Sequence, residues 1–168
     1  MAKIEERLKK IQNKGAQIVA EAQSEEERKK EIIKKYEQDI KALTPRIKQL
    51  MEIAVALLKN NIPLGKRGTT ITGSYDDAFE TDGIHHGLGF FFKYESGYKY
   101  LVGIGIKGGG CCGKDLAVNK DGDMVVKIDP HYHSYRYFGF DDYCNKCKTF
   151  LQNFDNFEKN VNDYVDNL

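Results

Sequence analysis

The sequence predicts an α+β fold: a heptad-patterned N-terminal helical hairpin, a central antiparallel β-sheet, and a C-terminal amphipathic helix packed on that sheet. Three observations predict it. Residues 1–60 repeat apolar side chains at spacings of three and four. Residues 61–140 lose that period and concentrate glycine, aromatic and β-branched residues. Residues 141–168 return to a helical period with one apolar face. A chain of 168 residues is the size of one domain, here 1–168, and can bury a core without staples.

The first helix is read over 2–22, from Ile4, Leu8, Ile11, Gly15, Ile18 and Ala22. Ser24 with Glu27 is a capping box, in which each side chain can serve a free backbone donor, and it predicts a new helix there. The next stripe is Ile33, Tyr36, Ile40, Leu43, Ile47, Leu50, Ala54 and Leu57, alternating three and four without error. Thr44-Pro45 interrupts it. Proline lacks the helical donor and crowds the preceding turn, so a kink is expected, with Thr44 as cap and Pro45 in the restarted first turn. Ile33, Tyr36, Ile40, Leu43, Ile47 and Leu50 are the candidate partner-binding residues, for another protein or for self-association. The competing expectation is internal: 2–22 folds back on 25–58, and both rest on the sheet.

After Asn60-Asn61 the pattern turns to strands, read near 69–72, 75–81, 85–94, 98–107, 116–118, 124–126 and 134–140. The connections are short, which makes the sheet antiparallel. Asp121-Gly122 suits a two-residue hairpin turn, and paired residues across it then sum to 243. From Asp141 a last helix carries one face of Tyr143, Cys147, Phe150, Phe154, Phe157 and Val161.

Net charge is +1, which gives no bulk attraction for nucleic acid. Lysines of the helical region alternate with Glu25, Glu26, Glu27, Glu31 and Glu37 at helix-pair spacings, so internal ion pairs are expected before phosphate contacts. No secretory leader and no membrane span is read, so a cytoplasmic location is expected, where thiols stay reduced. The 21 lysines against 5 arginines suit an AT-rich genome, bacterial or phage.

The four cysteines form two pairs, Cys111-Cys112 and Cys144 with Cys147. Cys-x-x-Cys is half of a zinc site, since two intervening residues let both thiolates reach one tetrahedral ion. The second half comes from Cys111 or Cys112 with His131 or His133. A sum of 243 sets Cys112 opposite His131; a slip of one residue sets Cys111 there instead. The competing expectation is that Cys147 simply packs as a small hydrophobe.

Two catalytic readings stand beside this. Cys112 with His131 and Asp129 or Asp115 has the elements of an activated thiolate. His85-His86 lies near Asp76, Asp77, Glu80 and Asp82. Gly108 to Lys114 imitates a phosphate loop, but Asp115 stands where a magnesium-binding hydroxyl belongs and a strand follows where a helix is needed. The favoured expectation is a non-enzymatic protein-binding module with a structural zinc, such as an inhibitor of a bacterial defence enzyme carried by a phage or mobile element. The alternatives are a small enzyme using the cysteine/histidine cluster and a nucleic-acid-binding protein.

Overall fold

The computed structural model describes residues 2–62, 64, 88–95, 99–106, 116–126 and 139–168. Its elements are α1 (Ala2–Lys41), α2 (Thr44–Lys59), β1 (Leu88–Glu95), β2 (Lys99–Ile106), β3 (Leu116–Val118), β4 (Met124–Val126) and α3 (Phe140–Asp166). The arrangement is α+β: a helical N-terminal region, a four-stranded antiparallel sheet among the described residues, and a C-terminal helix packed against it. The strands expected at 69–72 and 75–81 lie outside the described residues. So does the strand expected at 134–140, apart from Gly139 and Phe140. Phe140 belongs to α3. The chain divides into two units, Met1–Lys35 and Tyr36–Leu168.

The smaller unit is helical throughout its described residues, and the break expected at Ser24 does not occur. Around it stand good helix formers with no proline or glycine. Glu25 accepts from Arg28 Nε at 2.9 Å and from Arg28 Nη2 at 2.7 Å, and Glu26 reaches Lys30 at 3.7 Å. A capping box supplies partners to a chain that starts there. It supplies nothing that stops a helix already running. One continuous helix cannot fold 2–22 onto its own continuation, so the helical hairpin expected around Ser24 is replaced by α1.

The larger unit begins with the end of α1 and its joint to α2. Pro45 has no N–H for the Lys41 carbonyl, and the Thr44 hydroxyl donates to that oxygen instead. Thr44 is therefore the first residue of α2 and not its cap; Leu43 occupies the cap position. The far end of α2 closes with Asn61 at φ +55°. Ile62 N–H donates to Leu57 O at 2.9 Å and Asn61 N–H to Leu58 O at 3.1 Å, the paired bonds of a Schellman cap.

The sheet runs β1-β2-β3-β4 in chain order. Leu88, Phe90, Ile104 and Ile106 are buried, and Phe90 sits opposite Ile104 in the ladder. Phe157 of α3 meets Phe90 edge-on, ring centres 5.2 Å apart. Phe150 and Phe154 stack at 5.9 Å along the same helix. Ile47, Leu50, Ala54 and Leu57 complete the core from α2. Arg46 ties the two helices: it donates to Glu158 at 2.8 and 2.9 Å and to Asp155 at 2.5 Å, with its guanidinium 4.9 Å from the Phe154 ring centre.

The β3–β4 register differs from the expected one. Leu116 pairs with Val126 and Val118 with Met124, a sum of 242. A two-residue primed turn needs positive φ at Asp121, with Gly122 positive as well in type I′, and of the two only Gly122 has it, at +83°. The Asn119 side chain accepts from the N–H groups of Asp121 and Asp123 at 2.9 and 3.0 Å. Asn119 thereby fixes a three-residue loop with glycine in the left-handed position.

Candidate functional site

Two groups of residues stood out as sites, and the fold treats them differently. In the first, Cys144 and Cys147 lie one turn apart near the start of α3. Cys147 is wholly buried in the hydrophobic core, and burial pushes its thiol up to about 12. Cys144 is half-buried, and burial together with the Asp141 carboxylate raises its thiol above the usual range. Tyr143 donates to Glu37 at 2.9 Å and touches the Met124 sulfur, joining α3 to α1 and β4 beside Cys147. Burial, then the bond to Glu37, lifts the Tyr143 hydroxyl above its ordinary value. Both shifts favour the thiol over the thiolate, the form that acts as a nucleophile.

Cys111, Cys112, His131 and His133 lie outside the described residues, as do Asp115, Asp129, His85, His86 and the glycine loop 108–114. Among the described residues, no three His, Cys, Asp or Glu side chains gather where they could hold a metal. The observed register ends at Leu116 opposite Val126, short of the cysteine and histidine positions.

The second group is the heptad seam. Ile40, Ile47 and Leu50 are 0–1% exposed and belong to the core of the larger unit. Tyr36 and Leu43 pack against that core, half-buried. Ile33, also half-buried, falls in the smaller unit. Five of the six candidate partner-binding residues therefore face the protein's own interior. The earlier stripe does not. Ile4 is 62% exposed, Leu8 54%, Ile11 68% and Ile18 55%, with Val19 beside them at 56%.

Sequence reasoning found that stripe and left it either to fold back on 25–58 or to meet a partner. The sequence signal that bears on it is a break in the stripe. Continued by sevens, the stripe through Leu8, Gly15 and Ala22 reaches Lys29, and that through Ile4, Ile11 and Ile18 reaches Glu25. A charged layer, Glu25 and Lys29, therefore stands between the first stripe and the apolar positions that resume at Ile33 and Tyr36. These charges pair within the helix: Lys29 lies 4.0 Å from Glu25, and Arg28 draws the Glu25 carboxyl below its usual range.

No protein-family model, curated protein or solved structure matches the chain. Among the described residues, no helix is long and apolar enough to cross a membrane.

Proposed function

We propose that the protein is a non-enzymatic protein-binding module whose contact surface is the Ile4, Leu8, Ile11 and Ile18 face of α1. The observation behind this reading is that these four large apolar side chains recur at heptad spacing and are each more than half exposed. Scattered apolar residues on a surface need no explanation, but a row along one helical face has the form a partner helix covers. Val19 widens the row. The flanking lysines and glutamates keep such a surface in solution until it is covered. We place the protein in the cytoplasm, where the free thiols Cys144 and Cys147 persist.

The test compares the wild-type chain with Leu8→Asp, Ile11→Asp in solution mass and in capture from a bacterial lysate. The expected result is a stoichiometric complex, with itself or with another chain, that the double variant loses. Wild type that stays monomeric and retains no partner overturns the reading.

A further inference from the structure

We infer that the occupant of this face is the same segment of a second copy, laid antiparallel so that facing positions sum to 26. This rests on the binding reading above and names its partner. The seam has six positions: 4, 8, 11, 15, 18 and 22. Four hold large side chains, while Gly15 and Ala22 are small. A parallel, in-register pair sets each residue against itself. Gly15 then meets Gly15 and Ala22 meets Ala22, which leaves two thin layers where knobs should fill holes. The antiparallel pair sets Ile4 against Ala22, Leu8 against Ile18 and Ile11 against Gly15, each twice. Every small residue then faces a large one. Gly15 leaves room for this, since nothing lies within 4 Å of where its Cβ would stand.

Charge selects the same orientation. The residues flanking a seam decide direction, because they meet across it. In the parallel pair the flanking partners are Arg7 with Gln12, Lys14 with Val19, and Glu21 with Glu26. None is oppositely charged, and the last repels. In the antiparallel pair Arg7 meets Glu21 twice, Lys14 meets Lys14 once at the centre, and Glu5 lays its stem on Val19. Gln17 donates to Glu21 at 2.9 Å, which holds the carboxylate on this side of the helix. The seam covers fewer than three full heptads, so the association is expected to be concentration-dependent.

The test is sedimentation equilibrium of the full chain over a wide concentration range, with helix content followed by circular dichroism. A reversible dimer is expected, and Leu8→Asp, Ile11→Asp abolishes it. Glu21→Arg alone and Arg7→Glu alone each weaken the dimer several-fold; the two together restore it. A dimer that Glu21→Arg tightens is parallel and overturns the inference. A wild-type monomer overturns it too. If that monomer still retains a lysate protein that Leu8→Asp, Ile11→Asp releases, the binding reading stands without self-association. If it retains none, both fall.

Discussion

Gly122 in the β3–β4 loop lies against the Thr44 hydroxyl at the α1–α2 joint. A Cβ on Gly122 would overlap that oxygen and come within 3.0 Å of the Thr44 Cβ. The same glycine has φ +83°, where a side chain is strained in any surroundings. Gly122→Ala is therefore expected to cost about 2–4 kcal/mol, from backbone strain and overlap together. In a Thr44→Ala background the overlap is relieved, and about 1–2 kcal/mol should remain. Urea midpoints of the four chains check this, and equal costs in both backgrounds would contradict the close approach.

Asn61 makes the reverse prediction. It holds a left-handed position, φ +55°, at the end of α2. Asn61→Gly should stabilise by about 0.5 kcal/mol, and Asn61→Val should destabilise by about 1–2 kcal/mol, because a β-branched residue resists that conformation. Thermal unfolding of both variants reads the sign directly.

Arg46 joins α2 to α3 through Glu158 and Asp155, and it covers Phe154. Its side chain is 40% exposed, so solvent screens much of the charge interaction. Arg46→Lys keeps the charge but not the fork and should cost about 0.5–1 kcal/mol of stability. Arg46→Ala also uncovers the ring and should cost about 1–2 kcal/mol. High salt should shrink the Lys effect and leave most of the Ala effect.

The thiols offer a test by chemistry. Burial pushes the Cys147 thiol up to about 12, so it stays protonated at pH 8. Iodoacetamide should therefore label half-buried Cys144 first and reach Cys147 only on unfolding, read by peptide mass spectrometry. A chelator should not change that order; if it frees both cysteines together, a shared metal holds them. The pH dependence has a definite sign. The unfolded thiol titrates near 9.0 and the folded one near 12, so keeping Cys147 protonated stabilises fully below pH 9. That contribution is lost as pH rises from 9 toward 12. Cys147→Ala should flatten the alkaline fall, followed by urea titration across that range.

The larger elements were legible because each had a long, clean period. The α3 face from Tyr143 to Val161 packs where its spacing put it, and the Thr44-Pro45 break falls within one residue of the expected place. The errors came from local signals with two uses. Ser24-Glu27 reads as a helix start, yet inside a run of strong helix formers it is simply passed through. Asp121-Gly122 reads as a primed turn, yet the Asn119 side chain offers two hydrogen bonds to a three-residue loop and takes the register with it. The seam residues were found correctly as apolar. What spacing alone does not carry is which stretch meets the sheet: Ile40, Ile47 and Leu50 went inside, and Ile4, Leu8 and Ile11 stayed out.

The bond between Arg46 and Glu158 spans 112 positions of chain. During synthesis this sets an order of events. α1 and α2 need only their own residues to form, but Phe150, Phe154 and Phe157 emerge after every other described element. Until they do, α2 and the sheet can meet each other but lack the α3 face that completes the core of the described residues. The larger unit therefore completes its core only once α3 has left the ribosome, while the helix of Met1–Lys35 needs no contact with a later element to form.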